Sequence, residues 1–352
     1  MFSFLAKLTE RYKIAIILVW IALAAVLSLL APSLTEVGVT DDSLFLPRDT
    51  ESIQAQTLLK TRFAAGVYGP PGSALIVVHN PQGLNSDNMA SARDLNDWLV
   101  SPQAPALVSS INSPFTNPAL AASLQSQDNT TLLIVLSLRE PSGSTAAAEL
   151  VEEIRSRTSS LNGNGLILVT GGAGVASDAL TSIRKTIDRS TQVTILLVVL
   201  LLLVIYRSPV AIFVPLITIG VSYLIARAAA GFIAQTGFPV STLVDAYLVV
   251  TLFGIGTDYC LFLVSRFKEE IGQHDRTLAG SLTLRRIGPV ISASAFVLIV
   301  ALLCLGISHF GMNRTSGLIL AIGVAITLTA GLTLTPALIA AFGRRLLWPA
   351  RL

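Results

Sequence analysis

Six apolar stretches set the terms on which this chain can fold: Ile14 to Leu30, Thr191 to Tyr206, Pro209 to Ala226, Thr242 to Val264, Ile287 to Ile307 and Gly317 to Ala341. Each approaches or exceeds the roughly 20 helical residues that cross the hydrocarbon core of a bilayer. Inside lipid every backbone N–H and C=O must be satisfied within the segment, so stretches of this kind are helices. Only 13% of the 352 residues are charged, against about a quarter in soluble domains, and the mean hydropathy is +0.70. The chain reads as an integral membrane protein whose second helix starts ahead of Thr191. The first stretch follows Lys7, Arg11 and Lys13, as the core of a secretory leader does. It outruns the usual core of about 7 to 15 residues, and five more stretches follow, so a retained anchor is expected.

Lys and Arg in short loops mark the cytoplasmic side of a membrane. Twelve of them lie before the first stretch, at Arg207, between Arg266 and Arg286, and after the sixth stretch (Arg344, Arg345, Arg351). The opposite short loops hold only Arg227 and Arg314. Both termini of a cytoplasmic-membrane protein are therefore expected inside, with residues 31–189 outside. That outer segment carries ten basic and fifteen acidic residues, which argues against nucleic acid as a partner. Cys260 and Cys304 both fall in apolar stretches, where small buried hydrophobes are expected.

The outer segment alternates strand and helix patterns. Strands are predicted over Ser73 to His79, Ala106 to Asn112, Thr130 to Leu138 and Leu166 to Thr170, with amphipathic helices over Ser86 to Val100 and Thr145 to Ser159. The order β-α-β-β-α-β is that of a ferredoxin-like domain. A short amphipathic helix is expected over Asp49 to Arg62, a breaker cluster at Tyr68 to Gly72, and a helix from Ala176 that continues into the second span. Gly171-Gly172-Ala173-Gly174 lacks the Gly-Lys-Ser/Thr of a phosphate loop and reads as a turn. No nucleotide signature and no His, Cys and carboxylate spacing suited to a metal is visible, so no cofactor is expected and any driving force would be an ion gradient.

Asp258 is the residue the membrane segments do not explain. A carboxylate at the centre of a membrane helix costs roughly 2.5 to 3.5 kcal/mol on insertion scales, which makes a functional role the default. Tyr259 beside it can relay a proton, and Gly254 and Gly256 remove bulk one turn earlier, so a neighbouring helix could approach closely. Gly254, four residues before Asp258, shares its face. Burial would raise the carboxyl pKa towards working pH. Two other readings stay open: a polar fastener between helices, or a helix that ends early and leaves Asp258 near water. Asp245 lies about 20 Å away along the same helix and reads as interfacial. Ser292, Ser294, Thr327, Thr329, Thr333 and Thr335 offer hydroxyls towards Asp258, with Ser294 the best single candidate, although such hydroxyls usually bond back to their own helix.

These residues carry a family resemblance. GIGTDYCLFLVSRFKEE from Gly254, YRSPVAIFVPLITIGVSYL from Tyr206, SASAFVLIVALLCLGI from Ser292 and LTPALIAAFGRRLLWP from Leu334 resemble the MmpL branch of the RND superfamily of proton-driven exporters. The resemblance implies a membrane α-helical protein with an α+β extracytoplasmic domain: six transmembrane helices and a ferredoxin-like (βαββαβ) porter domain between the first two. It places the N-terminus and first span at 1–31, the porter domain at 32–189, the remaining spans at 190–342 and a cytoplasmic tail at 343–352. It implies that Asp258 and Tyr259 are a proton-relay pair and that the protein is a secondary active transporter, not an enzyme, exporting lipidic or other hydrophobic molecules. Family members usually hold two such halves, so this half-size chain would pair as a homodimer or with a second half-transporter. A SecDF-like auxiliary of protein translocation and a lipid-sensing module without transport are the alternative expectations.

Overall fold

The structure, a computed structural model, describes residues 2–39, 45–62, 72–159, 165–343 and 346. The breaker cluster at 68–71 and the tail arginines 344, 345 and 351 lie outside the described residues. In chain order the elements are α1 (Phe2–Arg11), α2 (Lys13–Leu30), α3 (Glu51–Arg62), β1 (Gly72–His79), α4 (Ser86–Val100), β2 (Val108–Asn112), β3 (Thr131–Leu138), α5 (Thr145–Ser159), β4 (Leu166–Thr170), α6 (Gly171–Tyr206), α7 (Phe213–Gln235), α8 (Val244–Ile271), α9 (Arg276–Cys304) and α10 (Gly311–Phe342). Short turns of helix at Leu34–Val37 and Ala121–Leu124 complete the larger elements. The chain divides into two compact units, one of 1–39, 44–47 and 187–352 and one of 40–43 and 48–186.

The second unit is built on an antiparallel sheet in the order β2-β3-β1-β4. β1 lies between β3 and β4, with Leu75 opposite both Val135 and Thr170. Strict alternation sends Ala74, Ile76 and Val78 of β1 and Leu132, Ile134, Leu136 and Leu138 of β3 to one face, where all are buried. Ala92, Leu95 and Leu99 of α4 and Leu150, Val151 and Ile154 of α5 share that core. A two-residue period on the strands and a 3.6-residue period on the helices thus converge on one apolar layer. The start of α4 is fixed by a capping box: Asn85 Oδ1 accepts from Asn88 N at 2.8 Å and Asn88 Oδ1 from Asn85 N at 3.2 Å. Two expectations need correction. None of the described side chains of α3 is buried, so among them no apolar face is packed. The glycines at 171–174 form the first turn of α6 directly after β4.

The first unit holds five helices long and apolar enough to cross a membrane, and α6 supplies the sixth. The protein is a multi-pass membrane protein. In the apolar windows of α7, α8 and α10, 50%, 50% and 61% of residues are buried, against 6%, 11% and 11% in α2, α6 and α9, so the first three form the interior of the bundle. Small residues make this possible: a Cβ at Gly317 would fall 2.5 Å from Leu302 O, and one at Gly323 would fall 3.0 Å from Leu248 Cδ2. Such close backbone approach is what drives helix association where lipid competes for every apolar contact. Trp20 of α2 donates to Thr333 Oγ1 of α10 at 3.0 Å, a bond made inside the apolar region. Cys304 is exposed and Cys260 buried, which corrects the expectation for the former; it lies on α9, most of whose surface faces away from the bundle.

Gly171 turns β4 into α6 at φ +81°, where a Cβ would fall 3.0 Å from Leu75 N. Gly171→Ala is expected to destabilise the protein by about 1 kcal/mol or more, from left-handed backbone strain plus the contact. Gly220→Ala, with open space around it, should leave stability unchanged. Circular dichroism melts of the detergent-solubilised chain compare the two.

Candidate functional site

The helical period of α8 sorts its central residues onto two sides. Gly256, Thr257, Tyr259, Cys260 and Leu263 are buried in the bundle, whereas Tyr247, Val250, Gly254, Asp258 and Phe262 form an exposed stripe at three- and four-residue spacing. Asp258 and Gly254 therefore lie together, facing out of the six-helix bundle. No described residue hydrogen-bonds or ion-pairs with the Asp258 carboxylate. Among the described residues, no helix of this chain makes the close contact expected at Gly254 and Asp258. The two glycines also differ in role: Gly254 has open space beside it, while a Cβ at Gly256 would fall 2.6 Å from Ile219 Cγ1 and 3.4 Å from Thr327 Cγ2.

Tyr259 turns inward. It is 4% exposed, packs beside Gly331, and its hydroxyl has no hydrogen-bond partner among the described residues. Next to it, Cys260 Sγ is 3.4 Å from Thr335 Oγ1, which is 3.1 Å from Thr218 Oγ1. A buried polar seam thus runs between α7, α8 and α10, one helical position away from the outward carboxylate. The other hydroxyls singled out in the sequence are mostly engaged locally. Ser292, Thr327, Thr329 and Thr333 donate to the carbonyls of Gly288, Gly323, Ala325 and Thr329, each four residues earlier. That back-bonding is the habit of hydroxyls in apolar helices. Ser294 is exposed on α9.

Asp245, near the first turn of α8, is held by its own set. Tyr223 donates to its carboxylate at 2.8 Å and Arg227 Nε lies 3.4 Å away, both from α7. A paired, half-exposed carboxylate of this kind ties two helices at the end of the bundle.

The sequence reading passed over a buried carboxylate. Glu270, at the end of α8, is 5% exposed, and Arg266 and Arg286 both donate to its Oε1, Arg286 at 2.9 Å. His274 Nδ1 lies 3.4 Å from Oε2. Two guanidinium groups on one carboxylate satisfy it well enough to sit out of water, and removal of one would leave a buried charge. The set staples the end of α8 to the start of α9. The alternation of charge in Ser265 to Glu270 was its only trace in sequence, since Arg286 is sixteen residues away.

Comparison with known proteins places these features in context. The profile of the MMPL family matches residues 44–352. The membrane protein ActII-3 of Streptomyces coelicolor is 33% identical over 97% of this chain and 47% of its own length. The sulfolipid-1 exporter MmpL8 of Mycobacterium tuberculosis is 30% identical over 98% of this chain and 32% of its own. The apo-petrobactin exporter of Bacillus anthracis is 29% identical over 94% of this chain and 46% of its own. The chain thus spans between about a third and a half of the length of these curated relatives.

The two glycines should respond differently to a methyl group. Gly256→Ala is expected to destabilise the bundle by about 1 to 3 kcal/mol, the usual range for overpacking a filled core. Gly254→Ala should leave the melting temperature of the single chain where it was. Equal losses in both would show that Gly254 is packed.

Proposed function

The chain belongs to the MMPL family, and from that premise we propose that it supplies one half of a proton-driven exporter of lipidic or other hydrophobic and amphiphilic molecules. The observation that carries this reading is the outward carboxylate of Asp258 beside the open Gly254. Against lipid such a group costs roughly 2.5 to 3.5 kcal/mol, so the face that bears it belongs against protein or water. A helix of a second half, from another copy of this chain or a separate half-transporter, would close on Gly254 and enclose Asp258 together with its counterpart. Relatives whose names describe exporters of sulfolipid-1 and apo-petrobactin support the substrate class. They give less support to a SecDF-like translocation auxiliary or to a lipid-sensing module without transport.

In this mechanism Asp258 takes up a proton from one side of the membrane and releases it to the other. Protonation removes a charge from the interface between halves and changes which packing of the two bundles is lower in energy, a population shift between pre-existing states. The Tyr259 phenol relays the proton between the interface and the buried seam; its hydroxyl is free to bond to whatever arrives. Ser294 extends the relay from α9. The sheet order β2-β3-β1-β4 and the single layer of helices on it support reading residues 32–189 as a ferredoxin-like porter domain outside the cell, followed by five spans over 190–342. The basic short loops support a cytoplasmic membrane location with both termini inside. No cofactor is needed beyond the proton gradient.

Asp258→Asn, nearly isosteric and unable to ionise, is expected to abolish pH-gradient-driven efflux of a fluorescent lipid from proteoliposomes while the melting temperature stays within about 1 kcal/mol of equivalent stability. Undiminished transport in that variant sinks the proton role. Separately, V250C in a C304S background should form covalent pairs on treatment with a short bis-maleimide in membranes. Recovery of uncrosslinked monomer alone would contradict a second copy of this chain on this face.

A further inference from the structure

We propose that α1 is a binding element for anionic phospholipid, holding headgroups at the membrane surface beside the bundle. The helix presents three distinct faces. Ala6 and Thr9 are buried, and the Phe2 ring fills the place of a side chain at Gly288 of α9, where a Cβ would fall 2.5 Å from Phe2 Cδ1. Together these dock one face on the bundle. At 3.6 residues per turn, Lys7 and Arg11 project about 130° and about 170° from the centre of that docked face, and both are exposed. Between the two lies an apolar row at four-residue spacing, Phe4, Leu8 and Tyr12, exposed by 67%, 37% and 48%.

An apolar row beside a basic row, on a helix separated from a membrane span by the single non-helical residue Tyr12, is the pattern of a segment lying in the interface with rings and alkyl groups towards acyl chains and cations at headgroup level. The charge complement names the occupant. Each Lys or Arg near an anionic leaflet favours binding by about fivefold, whereas zwitterionic lipid offers no such gain. Glu10, the one acidic residue of the helix, does not oppose this: its carboxylate accepts from the Thr277 hydroxyl of α9 and sits towards the docked side. Arg11 also stacks 5.4 Å from the centre of the Tyr12 ring, which aligns the basic row with the apolar one. The proton site uses none of these residues, so the inference stands independently of the proton-coupling proposal.

The test places a bimane label at S3C, in a C304S background, in nanodiscs of equimolar phosphatidylglycerol and phosphatidylcholine, with a nitroxide on the acyl chain of one lipid or the other. The labelled phosphatidylglycerol should quench as though enriched locally about fivefold or more over the bulk ratio. In K7Q/R11Q the two lipids should quench equally, and in K7R/R11K the preference should remain. Equal quenching in the parent chain, or a preference that survives K7Q/R11Q, overturns the proposal.

Discussion

A carboxylate on the outward side of a membrane helix is intolerable against lipid and harmless against protein or water, and the rest of the structure is arranged around that difference. α8 places Asp258 there because Gly256, Tyr259 and Cys260 occupy the inward side, where α7 and α10 close on them. The inward side is already filled: Gly256 has no room for a methyl group, and Cys260 is within 3.4 Å of Thr335. Rotating the helix to hide Asp258 would expel Tyr259 and break that seam. The position of the charge is therefore fixed by packing within the bundle, while its environment is left to whatever covers the open stripe from Tyr247 to Phe262.

This separation gives the two members of the Asp-Tyr motif different surroundings although they are adjacent in sequence. One faces out of the bundle, the other its interior, about 100° apart on the helix. A phenol whose hydroxyl is unengaged, next to a carboxylate without a partner, both among the described residues, is a pair of polar groups each short of a bond. Such groups are expensive when dry, which is the ground on which a second half is proposed for this face. The Glu270 cluster is the contrasting case: its carboxylate is buried as deeply as any among the described residues, yet two guanidinium groups and His274 complete it. It can hold α8 to α9 without any exchange of protons.

Much of the fold was legible because length and period are local signals. The apolar stretches located six helices, the nearly continuous apolar run in Thr131 to Leu138 located one of the two central strands, and Ser86 to Val100 and Thr145 to Ser159 were bounded by their own periodicity. The ends of the membrane helices were less legible. α6 begins at Gly171, because its first half is polar and hydropathy registers only the second, and α9 begins at Arg276, eleven residues before the apolar stretch. What was not legible was direction. Nothing in GIGTDY states which side of the helix meets a neighbour, because all its residues except Asp258 suit either protein or lipid. The partners of Glu270 and the docking of Phe2 on Gly288 depend on contacts made by distant parts of the chain, and α1 was too short and too mixed to register as more than a basic leader before the first span.

The face bearing Asp258 can be seen directly by cryo-electron microscopy of the protein extracted from its own membrane into nanodiscs with its native lipids. A helix of a second bundle packed on Gly254, with Asp258 enclosed between the two, is the expected result. Acyl-chain density lying against Asp258 on an isolated six-helix bundle would contradict it.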